Sequence, residues 1–115
     1  MKTLLLLLLC PGLVFASGKT LTCSMQGLTE NITLTVADKP NSMPLIDFPY
    51  EVEATIFSMR QGNLLLVAVD SEDKSRSRLF ISAQWNKQSD SYHGQFFADF
   101  GGNQLQFENG RIVCK

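Results

Sequence analysis

The sequence predicts a small all-β domain, an antiparallel meander of about eight strands that forms a closed or nearly closed barrel. Three observations indicate this fold. Apolar and polar residues alternate with a period of two along most of the chain, as they do in half-buried strands. Clusters of Gly, Asn, Ser and Pro separate these stretches. One cysteine lies near each end of the domain, and a disulfide between them would staple the first strand to the last. A two-sheet sandwich is the alternative.

Residues 1–16 have the pattern of a secretory signal peptide. Lys2 supplies the charged start, residues 4–9 are all leucine, and Val14 and Ala16 suit signal peptidase. Cys10, Pro11 and Gly12 interrupt the apolar run well before the roughly 20 residues that a membrane span needs. We therefore expect a secreted or periplasmic protein with a single domain at residues 17–115 and no membrane insertion after cleavage.

The composition of the remaining chain is that of an ordinary soluble domain. The full sequence has 115 residues, with 10 Lys+Arg and 11 Asp+Glu, and a formal net charge of −1. Loss of the leader lowers the apolar fraction from 44% to about 39%. The charges are spread without a block of one sign, which makes nucleic acid and an anionic membrane poor partners.

Cys23 and Cys114 are the cysteines that remain after the leader, and they predict a structural disulfide. A metal site would need further Cys or His residues at close spacing, and His93 is the one histidine in the sequence. We therefore expect no metal and no cofactor.

The first two strands are predicted from alternation, and a long loop follows them. Their inward residues are Leu21, Cys23 and Met25 in the first strand and Ile32, Leu34 and Val36 in the second. Residues 38–49 contain Pro40, Pro44 and Pro49, none of which can donate a hydrogen bond to a sheet. This segment is predicted to be a loop.

The middle of the chain predicts two more strands and a second loop. Tyr50, Val52, Ala54 and Ile56 share one face of the third strand, and residues 63–70 are apolar on both faces. Phe57 alternates with Thr55 and Met59, which would place large apolar side chains outside the barrel. Residues 71–78 are rich in serine and charge, and they are predicted to be a solvated loop.

The last third of the chain predicts four strands. Inward residues of the fifth are Leu79, Ile81, Ala83 and Trp85, and those of the sixth are Tyr92, Gly94, Phe96, Ala98 and Phe100. Asn109-Gly110 is the preferred two-residue hairpin turn, between strands at 105–108 and 111–114. This hairpin would place Leu105, Phe107, Ile112 and Cys114 on one face.

No catalytic residue is predicted from the sequence. His93 has Ser89 and Ser91 nearby in sequence, but Asp99 is six residues away along the same strand, roughly 20 Å if extended. Glu51 and Glu53 lie about 6 to 7 Å apart on one strand face, as the carboxylates of glycosidases do. A hydrolase that uses these two residues is therefore one alternative function.

Binding is the function that the chain favours, through loops or through an outer sheet face. The loop residues considered are Asp70, Glu72, Asp73, Arg76 and Arg78, and the outward residues of the sixth strand are His93, Phe97 and Asp99. Asp70, Glu72 and Asp73 suggest a calcium loop, but Lys74 follows directly and the Gly and terminal Glu of an EF-hand are missing.

The layout of a leader, an early Cys23 on a first strand, a run of short strands and a late Cys114 distantly resembles small periplasmic lysozyme inhibitors of the MliC type. This resemblance implies a closed antiparallel barrel. The Ser-Gly-x-x-Tyr stretch by which that family engages lysozyme is absent, since Ser89-Asp90-Ser91-Tyr92 lacks the glycine. No site residue is therefore carried over from the family.

The sequence as a whole predicts a secreted or periplasmic, non-enzymatic β-domain that binds a protein or a cell-envelope component. A lysozyme-inhibitor-like barrel, a hydrolase and a small-ligand carrier are the alternatives. A carrier needs an open interior, whereas six aromatic residues are predicted to fill so small a barrel. They are Tyr50, Trp85, Tyr92, Phe96, Phe100 and Phe107.

Overall fold

A computed structural model describes residues 18–39 and 42–115 of the chain. Eight strands form one antiparallel sheet: β1 (Lys19–Met25), β2 (Ile32–Val36), β3 (Leu45–Asp47), β4 (Val52–Arg60), β5 (Asn63–Asp70), β6 (Ser77–Asn86), β7 (Ser91–Asp99) and β8 (Phe107–Cys114). The predicted signal peptide and Pro40 lie outside the described residues. Within the two described ranges, no helix has the length and apolar character needed to cross a bilayer.

The strands form a meander that nearly closes into a barrel, as predicted. Their order in the sheet is β3-β2-β1-β8-β7-β6-β5-β4, so each strand pairs with its neighbour in sequence except at one place. The closing contact is the antiparallel pairing of β1 with β8. Since β3 and β4 are the two ends of the strand order, the seam of the barrel lies between them.

The predicted disulfide between Cys23 and Cys114 is present. The two residues are direct partners in the β1–β8 pairing, with Cα atoms 4.0 Å apart, and both are fully buried. Their position confirms that both cysteines face the core from the first and last strands. A disulfide of this kind is compatible with an oxidising extracellular or periplasmic environment.

Aliphatic side chains from alternate strand positions fill the barrel. Those exposed by no more than 2% are Ile32 and Leu34 of β2, Leu64, Leu66 and Ala68 of β5, Leu79 and Ile81 of β6, Ala98 of β7 and Ile112 of β8. Gly94 allows β7 to approach β6 closely, because a Cβ atom at this position would lie 2.8 Å from Cβ of Ala83 and closer still to the backbone of β6.

The predicted loop at residues 38–49 contains a strand, which corrects the sequence prediction. Leu45, Ile46 and Asp47 form β3, which pairs with Thr33–Thr35 of β2. Pro44 precedes this short strand and Pro49 follows it, so neither proline interrupts the pairing. Proline prevents pairing at its own position only, and a three-residue strand fits between two prolines.

The predicted hairpin at Asn109-Gly110 is wrong, because both residues lie inside the continuous strand β8. β7 supplies a pairing partner for every residue of β8, from Asp99↔Phe107 to Tyr92↔Cys114. The actual turn is the segment at residues 100–106, where the amide of Phe100 donates to the carbonyl of Gln106. In a continuous strand Phe107 and Ile112 face opposite ways, so Phe107 points out of the barrel.

A β-bulge in β4 exchanges the inward and outward positions that were predicted for the second half of this strand. The pairing with β5 shifts between Ala54 and Ile56, and Ile56 becomes the partner of Val67 on the outer face. Phe57 and Met59 then turn inward and pack against the core. The prediction that Ile56 points inward while Phe57 points outward is therefore wrong, because an extra residue in one strand exchanges its two faces.

Three of the six aromatic residues predicted to fill the barrel are exposed instead. Tyr50 is 37% exposed, Trp85 41% and Phe107 48%. Phe96 is buried, while Tyr92 and Phe100 pack against the edge of the core. The interior is therefore mainly aliphatic.

Candidate functional site

Large apolar side chains form a contiguous patch on the outside of the barrel. Pairing across the sheet places Ile56 beside Val67, Val67 beside Phe80, and Phe80 beside Phe97. The ring of Phe97 also contacts the ring of Phe107 on β8, with 4.9 Å between their centroids. We call these five residues the aromatic face.

Four large side chains of the aromatic face are exposed to solvent. Ile56 is 49% exposed, Phe80 41%, Phe97 40% and Phe107 48%. Scattered single apolar residues are normal on a protein surface, whereas the largest contiguous apolar patch is often functional, which makes the aromatic face a candidate site.

A second cluster of predicted residues lies where β5 and β7 end and β6 begins. Asp70 organises the loop between β5 and β6, because its Oδ1 accepts hydrogen bonds from the amides of Glu72 (2.8 Å) and Asp73 (3.1 Å). Its Oδ2 accepts from Nε of Arg78 at 2.9 Å. The side chains of Glu72 and Asp73 remain exposed to solvent.

Asp99 is the centre of this cluster and is fully buried. Its Oδ2 accepts a hydrogen bond from Nε of Arg76 at 2.6 Å. Its Oδ1 accepts from the amides of Gly101 (2.9 Å) and Gln106 (3.0 Å), the two ends of the turn before β8. Nη1 and Nη2 of Arg76 donate to the carbonyls of Gly102 (2.6 Å) and Gly101 (3.0 Å) in the same turn.

Arg78 is buried beneath the same turn. It occupies a bulge in β6, since Ala68 pairs with Leu79 and Val69 pairs with Ser77. Its Nη1 donates to the carbonyls of Asp99 (3.0 Å) and Gly101 (2.6 Å), and its guanidinium carbon lies 4.0 Å from the centre of the Tyr50 ring. A bulge redirects a side chain, and here it directs the arginine into the end of the barrel.

These contacts make the cluster a clamp for the turn at residues 100–106. The two arginine charges are balanced by two aspartates. All three guanidinium nitrogens of Arg76, and Nε and Nη1 of Arg78, donate to protein oxygens. The hydrogen bond from Arg76 lowers the pKa of Asp99 far below its usual range, and the amides of Gln106 and Gly101 lower it further. The amide of Glu72, followed by Arg78, also lowers the pKa of Asp70.

Acid is expected to destabilise the protein through these two carboxylates. Their pKa values are lower in the folded state, so their contribution to stability is complete above the ordinary aspartate value of about 3.9 and is lost as the pH falls below it. Urea unfolding from about pH 7 down to about pH 2 should show a falling midpoint below roughly pH 4. The Asp99→Asn variant should show a shallower fall. Parallel curves for the two proteins would contradict this role of Asp99.

His93 forms a small hydrogen-bonded group with two serines at the turn between β6 and β7. Its Nε2 lies 2.9 Å from Oγ of Ser89 and 3.0 Å from Oγ of Ser91. Among the described residues, no carboxylate forms a salt bridge or hydrogen bond with His93. A nucleophile–base pair needs a third group to orient the base, so this group closes a turn without the arrangement of a triad.

The paired carboxylates of the predicted alternative site lie on the protein surface. Glu51 and Glu53 are both exposed, and a carboxylate oxygen of Glu53 lies 3.1 Å from Nζ of Lys74. In the part of the chain that the structure describes, no three His, Cys, Asp or Glu side chains are grouped so that they could hold a metal ion.

The structure brings the predicted binding residues together only in part. Asp70, Arg76, Arg78 and Asp99 form the clamp, and two of them, Arg78 and Asp99, are buried. Phe97 belongs to the aromatic face, and His93 lies on the same strand, four residues before it. The sequence analysis missed Ile56, Phe80 and Phe107. The outward position of Phe80 could have been predicted, because Phe80 alternates with Leu79 and Ile81. The outward position of Ile56 depends on the bulge in β4, and that of Phe107 depends on the absence of the predicted hairpin.

Comparisons with protein-family models, with curated proteins and with solved structures find no match for this chain. The resemblance to the MliC-type inhibitors therefore remains an expectation about architecture.

Proposed function

We propose that this protein is a small secreted, non-enzymatic binding domain that contacts another protein through the aromatic face. The observation that carries the proposal is the contiguous exposed apolar surface from Ile56 to Phe107. Aromatic residues are enriched at the centres of protein interfaces, where they contribute large contact areas. The leader pattern and the buried disulfide support export to an oxidising compartment.

The clamp supports this function indirectly. Asp99 and Arg76 hold both ends of the turn that leads into β8, and Phe107 is the first residue of that strand. A fixed turn keeps Phe107 against Phe97 before any partner binds. A preorganised surface loses less conformational entropy on binding than a flexible one.

The alternative functions lack an observation of this kind. Glu53 is engaged by Lys74 rather than held as a free base or nucleophile, and the clamp arginines are engaged by aspartates. The aliphatic packing of the barrel interior does not favour a small-ligand carrier.

Site-specific photo-crosslinking tests the proposal. Gln95 is exposed on β7, two residues from Phe97, and Gln95→p-benzoylphenylalanine should form an adduct with a protein in extracts of the producing cells. The same group at Thr35, which is exposed on β2, is the matched control and should form none. Adding Phe97→Ser and Phe107→Ser should abolish the Gln95 adduct. Equal adducts from Gln95 and Thr35, or none from Gln95, would overturn the proposal.

A further inference from the structure

On one side of the aromatic face the charge of Glu53, which pairs with Val69, is balanced by Lys74, and the row on the other side carries no charge across four strands. In this uncharged row, Ser58 pairs with Leu65, Leu65 with Ser82, and Ser82 with Gln95. The first charged residue in that row is Arg111, on β8. A protein surface that approaches these two rows therefore meets apolar groups, hydroxyls and an amide, and needs no opposite charge to match them.

A neutral surface of this kind is complementary to itself. In a two-fold symmetric dimer the same patch is used by both subunits, so any uncompensated charge on the patch would face a like charge or be desolvated. The chain has a formal net charge of only −1, and long-range repulsion between two copies is correspondingly weak.

The exposed apolar area is enough for the centre of a dimer interface. The exposed parts of Ile56, Phe80, Phe97 and Phe107 amount to roughly 350 Å², when a large apolar side chain is taken to expose about 200 Å² in full. A standard interface buries about 800 Å² on each partner. The aromatic face would form the centre of such an interface, and the uncharged row beside it would form part of the polar rim.

We infer that a second copy of this chain occupies the aromatic face, so that the protein is a two-fold symmetric dimer with the two outer sheet faces packed on each other. This inference rests on the proposed function, because it identifies the protein that binds there. Two twisted sheets that pack face to face lie about 10 Å apart, with their strands at about 30°. At that spacing the rings of Phe80 and Phe97 can interdigitate with those of the second copy.

Sedimentation velocity of the purified, disulfide-bonded protein tests the inference. Between about 1 µM and about 1 mM the mass should rise from one chain to two. The double variant Phe97→Ser, Phe107→Ser should weaken association at least tenfold, because aromatic residues at the centre of an interface contribute most of its affinity.

A second double variant, Trp85→Ser, Leu45→Ser, is the matched control. Trp85 is as exposed as Phe97, and Leu45 is more exposed than Phe107, but neither belongs to the aromatic face. This control should dimerise as the unmodified protein does. Equal dimerisation of all three proteins would overturn the assignment of the interface.

If the protein stays monomeric at the highest concentration, the inference that a second copy occupies the aromatic face is wrong. The crosslinking experiment separates this result from failure of the proposed function. In the extract, an adduct of twice the chain mass from Gln95 supports the dimer. An adduct with a different protein, combined with a monomer in solution, retains the proposed function and rejects the dimer.

Discussion

Replacing Cys23 and Cys114 together by alanine is expected to lower the free energy of unfolding by about 4 to 5 kcal/mol. The disulfide joins residues that are 91 positions apart, and a crosslink over so long a loop removes many conformations from the unfolded chain. Domains of this size are stable by only about 5 to 15 kcal/mol, so the variant should be close to unfolding at physiological temperature. Urea unfolding followed by tryptophan fluorescence, with Trp85 as the reporter, measures the change.

Reduction of the unmodified protein provides the control. Dithiothreitol should shift its unfolding midpoint to that of the double-alanine variant and should leave the variant unchanged. An unchanged midpoint in both cases would show that pairing of β1 with β8 closes the barrel without the crosslink. A loss in the variant that reduction fails to reproduce would assign the effect to packing of the sulfur atoms.

The Asp99→Asn substitution is expected to have the second-largest effect, a loss of about 3 kcal/mol. Asp99 is fully buried, and an asparagine would direct an NH₂ group at one of the donors that its two oxygens now accept. Arg76 would then lose its balancing charge at the edge of the core. The amides of Gly101 and Gln106 should also exchange with solvent faster, because they donate to Oδ1 of Asp99, and hydrogen-exchange NMR would report this.

Glu53→Gln is the matched control for loss of a carboxylate charge. Glu53 pairs with Lys74 in an exposed position, and such pairs contribute at most about 1 kcal/mol. Similar destabilisation in the two variants would contradict the stabilising role of the clamp, because it would show that the buried ion pair of Asp99 contributes no more than an exposed one.

Much of the barrel could be predicted from local sequence patterns. Alternation placed Leu21, Cys23 and Met25 inward, and this is confirmed. Cys114 was placed on the inner face by the register of the supposed hairpin, so its position is right although the hairpin is wrong. The predicted disulfide then brought the first strand next to the last. The strand number was also right, although by two compensating errors: β3 was missed, and β8 was divided into two strands by the supposed hairpin.

The candidate site was harder to predict because it depends on which face each residue occupies. Phe107 was wrongly predicted to lie inside the barrel because a turn was predicted at Asn109-Gly110. Ile56 was wrongly predicted to lie inside because no feature of the local sequence indicates the bulge in β4. Asn-Gly favours a tight turn in isolation, but β7 offers hydrogen bonds along all of residues 107–114, and turning at Asn109 would leave part of this edge unpaired.

The clamp shows the same limitation for charged residues. From the sequence, Asp70, Arg76, Arg78 and Asp99 were expected on a solvated loop and an outer face, where charged side chains are most often found. Their burial depends on the turn at residues 100–106 folding back over them, and this turn is itself held by their hydrogen bonds. An arrangement in which each part requires the other has no signal in any single stretch of sequence.

Local patterns in the sequence were sufficient to predict the all-β class, the inward positions of most strands and the pairing of Cys23 with Cys114. The position of the seam and the faces that β4 and β8 present depend on the folded barrel, and so does the joining of Ile56, Phe80, Phe97 and Phe107 into one surface. The physical reason is the two-residue period of a strand: alternation defines two faces locally, but one bulge or one absent turn exchanges them. The choice between the faces is made by pairing with strands that are distant in sequence.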